Sequence, residues 1–159
     1  MITDDETTRS RLATALHVQR WVTEVASGCP YDDVDDLVSV ADLAARRLSA
    51  AEVDEALSTH PRIGERSDSS LSRSEQAASA TDDPSLVAAM AAGNAAYEER
   101  FGRIFLIRAA GRSRPEILAE LHRRLSLSSA DEVVEVADQL RQIALLRLPT
   151  LFASSEVVG

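Results

Sequence analysis

The chain has 159 residues, 45% hydrophobic and 27% charged, a balance that fits one globular domain and excludes a disordered polymer. With 26 acidic residues against 17 basic ones the net charge is −9, which repels nucleic acid, and no basic patch with interleaved aromatics offsets it. A single cysteine, Cys29, excludes a disulfide framework or cysteine metal site, and no apolar run approaches membrane-spanning length.

Aromatics are only 4% of the chain, which is rich in Ala, Leu, Arg and Glu, a mixture that favours helices over strands. From about Thr8 to Ala26, Leu12, Leu16, Trp21, Val22 and Val25 recur at near-helical spacing and predict a first helix. "SGCPYDD" ends it, and the acidic run Asp32 to Asp36 suits the first turn of a second helix reaching about Leu48. "SAAE" at Ser49 to Glu52 is a capping box for a short third helix that His60-Pro61 closes. The polar segment from Arg62 to Leu71 reads as a loop, followed by a helix from about Ser72 to Ala80. "TDDP" supplies an N-cap aspartate and a first-turn proline for a long helix through "LVAAMAAGNAAYEERF". After Gly102, "RIFLIRAAG" is apolar enough to be extended but has no partner strand, so a buried irregular segment is expected. "SRPE" at Ser113 to Glu116 and "SADE" at Ser129 to Glu132 cap the last two helices. The sum is an all-α domain of seven or eight helices spanning 1–159, with 1–8 and 153–159 expected as flexible ends.

Three residues stand out for chemistry. His60 precedes a proline at the edge of an irregular loop, where an imidazole can serve as a general acid or merely terminate a helix. Glu75 closes Ser72-Arg-Ser-Glu75, a fourth capping-box pattern, so its spacing alone favours a cap over catalysis. Arg147 falls on the apolar stripe of Val133, Val136, Leu140, Ile143 and Ala144, where a guanidinium needs a partner. Periodicity leaves two options for it, a snorkelling arginine at a helix end or an anion grip facing a pocket. His17 and His122 lie within helices and suit surface or packing roles. No HExxH, cysteine pair, GxSxG elbow, Walker loop or Rossmann glycine fingerprint occurs, so no metal or cofactor is expected. All 17 basic residues are arginine, which a GC-rich coding bias explains, with selection for anion grips applying to one or two at most.

"HPRIG" at 60–64, "SxxEQ" at 72–76, "YEERFGRIFLIRAAGRS" at 97–113 and "ALLRL" at 144–148 resemble, in order and spacing, the 2-oxo-4-hydroxy-4-carboxy-5-ureidoimidazoline (OHCU) decarboxylases of urate breakdown. The likeness runs from about Trp21 to Leu151. It implies an all-α, cofactor-free enzyme that forms (S)-allantoin and carbon dioxide from the ureidoimidazoline. A homodimer in the cytoplasm, working alongside urate oxidase and hydroxyisourate hydrolase and binding neither nucleic acid nor membrane, is the matching expectation. Carried over by position, the resemblance makes His60, Glu75 and Arg147 catalytic. It puts substrate contacts at Pro61, at Ser72, Arg73, Ser74, Glu75 and Gln76, and at Phe105, Leu106, Ile107, Arg108 and Ala109. The segment "HVQRW" departs from the family, whose members carry an acidic, proline-containing stretch before this tryptophan. The other classes to weigh are a non-enzymatic helical interaction module, an enzyme of the same fold for another ureido or hydantoin compound and, distantly, a helix-turn-helix regulator.

Overall fold

Eight helices account for the secondary structure among the described residues of the computed structural model, which are 1–64, 70–77 and 79–157. They are α1 (Glu6–Ala15), α2 (Gln19–Ser27), α3 (Val34–Ala45), α4 (Ala50–Leu57), α5 (Ser70–Ala77), α6 (Pro84–Phe101), α7 (Arg114–Arg124) and α8 (Ser129–Val157). The all-α expectation holds. Of the loop expected from Arg62 to Leu71, residues 65–69 lie outside the described set, as do 158–159 of the expected end. The chain divides into two compact units, one of 1–56 with 137–159 and one of 57–136.

In the first unit the single helix expected from Thr8 to Ala26 is two. Leu16 and Val18 take extended backbone, with φ −152° and −134°, and both are buried around the exposed His17. The apolar repeat continues through this break because extended residues also turn their side chains inward, so period alone hides it. At the start of the chain, where a flexible end is expected, Ile2 is buried and exchanges two backbone hydrogen bonds with Tyr31 at 2.8 and 2.9 Å. The acidic entry to α3 is as expected: Asp33 is the N-cap, its carboxylate accepting from Asp36 N–H at 2.9 Å.

α2 packs on both α1 and α3. Trp21, wholly buried, donates from Nε1 to the Ala41 carbonyl at 3.0 Å, which pins α2 to α3. Arg20 donates to the Ala44 carbonyl at the end of α3 and to Glu52 of α4 at 2.9 Å. Arg141 of α8 reaches Asp42 of α3 at 2.9 Å. Leu140, Ala144, Leu148 and Phe152 are buried along α8.

In the second unit the "TDDP" signal is realised. Asp83 caps α6 by accepting from Ser85 N–H at 2.9 Å, and Pro84 occupies the first turn. α6 stops at Gly102, whose φ of +71° is the left-handed C-cap that a side chain resists. α6 and α7 pack together around a core of Met90, Tyr97, Phe105, Ile107, Ile117 and Leu121.

Two of the four capping boxes are present: Ser49–Glu52, with reciprocal bonds of 2.9 and 3.1 Å, and Ser113–Glu116. The box read at Ser129 to Glu132 is shifted. Ser128 Oγ accepts from Asp131 N–H, and Glu132 is fully buried instead of closing a cap. α5 begins at Ser70, which sets Glu75 in its second turn, so Ser72 and Glu75 do not form a capping box either.

Glu52 generates a prediction. The Arg20 hydrogen bond, followed by the Ser49 amide, pulls its carboxyl from 4.5 down to about 2, against burial that opposes this. A pKa lower in the folded state adds stability that is complete above about 4.5 and lost as pH falls toward 2. Glu52→Gln is therefore expected to cost about 1 kcal/mol at neutral pH, the scale of one cap. Thermal melts should show the gap from the parent closing between pH 4.5 and 2.

Candidate active site

In the second unit, α4 ends at Leu57, and His60 follows it by one turn, its N–H donating to the Leu57 carbonyl at 3.1 Å. His60 and Pro61 are both half-buried. The next three residues are tied down one by one. Arg62 pairs with Glu98 of α6 at 2.6 Å. Ile63 is buried in the core, and its carbonyl accepts from Asn94 Nδ2 at 3.0 Å. Gly64 adopts φ +91°, a left-handed conformation that favours glycine, and its N–H donates to Gln76 Oε1 at 3.1 Å. "HPRIG" is thus a strap tied to α5 and α6, and the histidine sits at its start.

α5 presents the second motif. Ser72 is buried and Glu75 and Gln76 are half-buried, at i, i+3 and i+4 of one helical face. Arg73 and Ser74, included in the expected contact set, lie on the exposed side. Gln76 spends its carbonyl oxygen on Gly64, so part of its role is to hold the strap that carries His60.

The third motif, Arg103 to Ala109, is neither helix nor strand, as expected. Phe105, Leu106, Ile107 and Ala109 are buried and Arg108 is half-buried. A polar frame fixes the segment. The Glu132 carboxylate, wholly buried, accepts from Tyr97 Oη at 2.6 Å and from Arg103 Nη1 at 2.7 Å. Arg124, also wholly buried, lies 4.9 Å over the Phe105 ring and donates from Nη1 to the Leu106 carbonyl at 2.6 Å. Tyr97 packs its ring against Phe101 and Phe105, with centroids 4.7 and 5.2 Å away. Arg112 ties the far end through the Arg108 carbonyl at 2.9 Å. The carbonyls of Leu106 and Arg108 are therefore already engaged, which narrows the expected main-chain contacts to the other groups of the segment.

In the first unit, Arg147 faces inward as its period predicts. Only 7% of it is exposed, which removes the snorkelling option. Its Nη1 donates to the Thr14 carbonyl at 2.9 Å. α1 stops at Ala15 and the chain turns extended, so that carbonyl belongs to the helix end, where an outside donor is needed.

Reasoning from sequence did not find Tyr97, Asn94, Arg103, Arg124 and Glu132 as a frame for the two motifs. The one available signal was the i, i+4, i+8 aromatic series Tyr97, Phe101, Phe105. Among the described residues no group of three or more His, Cys, Asp or Glu is placed to hold a metal ion, and no helix is long and apolar enough to cross a membrane.

Burial, then the hydrogen bond to Glu132, raises the Tyr97 hydroxyl above its ordinary range, so it stays a donor. Tyr97→Phe withdraws one of two donors from a buried carboxylate and is expected to cost about 1–3 kcal/mol in urea unfolding. The unfolding slope should be unchanged, since the surface exposed on unfolding is the same.

Comparison with known proteins gives one answer. The profile of OHCU decarboxylase matches residues 3–149. A 2-oxo-4-hydroxy-4-carboxy-5-ureidoimidazoline decarboxylase of Haloferax volcanii is 33% identical over 138 residues, covering 84% of this chain and 82% of that protein. The uric acid degradation bifunctional protein TTL of Arabidopsis thaliana is 29% identical over 143 residues, 85% of this chain but 44% of that protein. A crystal structure of OHCU decarboxylase in the presence of (S)-allantoin superposes with a TM-score of 0.77 at 26% identity, over 89% of this chain and 96% of that one. An (S)-allantoin synthase structure, at 17% identity and a TM-score of 0.67 over 94% of this chain and 54% of that one, shares the fold. With a profile match across nearly its whole length and one-third identity to a relative of similar extent, this chain belongs to the OHCU decarboxylase family.

Proposed function

We propose that the chain is a carboxy-lyase that decarboxylates 2-oxo-4-hydroxy-4-carboxy-5-ureidoimidazoline to (S)-allantoin. The observation that carries this is the family match over residues 3–149 together with the 33% identity to a decarboxylase of that name. The tied "HPRIG" strap and the framed Phe105–Ala109 segment support it, because both motifs are held by side chains of neighbouring helices, among them buried Asn94 and Arg124.

The chemistry suits the residues. The bond to the carboxylate breaks, carbon dioxide leaves, and the electron pair forms a C=C bond while the nitrogen of the adjacent C=N takes up a proton. The ring hydroxyl of this enol then loses its proton to become a carbonyl, and a proton is added to the neighbouring carbon, which becomes the stereocentre. The substrate supplies its own electron sink, so the protein has to orient, stabilise charge and protonate one face. His60 is assigned the proton delivery, Glu75 the hydroxyl or ureido N–H groups, and Arg147 an anionic oxygen held by its planar fork. Pro61, Ser72 and Gln76 would shape the region of His60 and Glu75, with Phe105, Ile107 and Ala109 offering apolar walls and main-chain groups. A homodimer, a cytoplasmic setting and a metabolic link to urate oxidase and hydroxyisourate hydrolase complete the assignment.

The spontaneous reaction gives racemic allantoin, so handedness is the sharper readout. With substrate made in situ from urate by urate oxidase and hydroxyisourate hydrolase, circular dichroism should show rapid growth of the (S)-allantoin signal. His60→Ala, with an unchanged melting temperature, is expected to slow that growth by about 10²–10⁴-fold, the scale of a positioned general acid. A trace matching the enzyme-free control, from folded parent protein, would redirect the assignment to another ureido or hydantoin substrate.

A further inference from the structure

The second unit holds a cavity of about 410 Å³ whose described lining includes none of His60, Glu75 and Arg147. Its size is within the roughly 300–1,000 Å³ usual for small-molecule sites. The wall joins Ile63 and Gly64 of the strap to Asn94 and Glu98 of α6 and to Arg114, the first residue of α7.

Two polar groups in that wall lack a hydrogen-bond partner among the described residues. Arg114 is 6% exposed, and its Nε is buried with no acceptor. No described residue forms an ion pair or hydrogen bond with its guanidinium. The terminal nitrogens reach the strap, since a Cβ on Gly64 would lie 3.2 Å from Arg114 Nη1. Burial lowers the pKa of this guanidinium, and no charged neighbour acts against that. Glu98, the carboxylate of the described wall, is held by Arg62 at 2.6 Å. The second group is Asn94, 7% exposed. Its Nδ2 is committed to the Ile63 carbonyl, which fixes the amide orientation and leaves Oδ1 buried without a donor.

A buried guanidinium without an anion is unfavourable, and a buried acceptor without a donor adds to the cost. The terminal nitrogens of Arg114 keep accessible surface in a wall that also includes Met90 and Ile63, while Asn94 Oδ1 is sealed from solvent. A small oxyanion satisfies the guanidinium, and a donor on it meets Asn94 Oδ1 once the side chains that cover that oxygen shift. We infer that this cavity binds a small oxyanion bearing an adjacent N–H or O–H, gripped by Arg114 through the anion and by Asn94 Oδ1 through the donor. A ureido or N-acyl carboxylate and hydrogen phosphate share that chemistry. The site stands on the cavity and its two orphan groups, independently of the decarboxylase assignment.

The test is calorimetric titration of the full chain in chloride buffer with N-carbamoylglycine, inorganic phosphate and acetate, which lacks the donor. Saturable binding of N-carbamoylglycine or of phosphate, at least about tenfold tighter than acetate, is expected, and which of the two binds identifies the occupant. Arg114→Met should weaken it by about tenfold or more, as for loss of a charge-assisted bidentate grip. The same variant should melt at the parent's temperature or above it, because it removes an uncompensated buried charge, whereas a structural arginine would lower the melting point. His60→Ala should bind as the parent does. No saturable binding by the parent up to about 50 mM, weaker than any specific site, overturns the proposal, as does binding that survives Arg114→Met or is lost in His60→Ala.

Discussion

A carboxylate sealed from water fixes the second unit. Glu132 has no solvent exposure, so the cost of burying its charge must be met by donors inside the protein. Tyr97 and Arg103 meet it, and each donor brings a piece of backbone to a defined place. Tyr97 sits three turns into α6 and Arg103 just past its end, so one carboxylate at the start of α8 locks the exit of α6. The irregular segment that follows begins from a fixed point. Arg124 then fixes its middle, through the Phe105 ring and the Leu106 carbonyl. A segment with neither helical nor sheet hydrogen bonds can remain buried only if its polar groups are met in this way.

The same logic places the strap that carries His60. Asn94 is on the face of α6 one turn before Tyr97, and it holds the Ile63 carbonyl. Gln76 of α5 holds the Gly64 amide. α6 therefore serves both motifs, one through Asn94 and the other through Tyr97. A packing change along this helix would be felt at both places, since neither segment has regular secondary structure to fall back on.

Much of this was legible because it depends on local rules. The caps at Ser49 and Ser113, the Asp83-Pro84 helix start and the glycine stop at 102 all act within one turn, and four-residue patterns describe them. The inward direction of Arg147 follows from period. Its partner does not, because the Thr14 carbonyl is 133 residues away in sequence and is available only where α1 ends. That end was itself hidden, as Leu16 and Val18 stay buried while the backbone turns extended. Glu132 fits a capping box as well as any residue in the chain, and Ser128 and Ser129 differ by one position, so spacing could not tell a cap from a buried acceptor. Glu75 was misplaced in the same way, by a pattern that matched where the helix had already begun.

The arginine-only cation inventory gains a physical meaning from these arrangements. Coding bias explains why lysine is absent, but the folded chain uses the fork that lysine lacks. Arg20 reaches the Ala44 carbonyl and Glu52 at once, Arg100 the Leu127 carbonyl, Arg124 the Leu106 carbonyl and Arg147 the Thr14 carbonyl. These are helix ends and irregular segments, the places where main-chain acceptors lack partners. A guanidinium presents five donors in a fixed planar fork, and Arg20 uses that fork to reach two groups at once. The oxygens these arginines hold, Glu52 aside, are main-chain carbonyls of the protein itself. Against that background Arg114 differs in kind. It is as buried as Arg147, it stands beside a cavity, and the oxygen it is built to hold is not among the described residues.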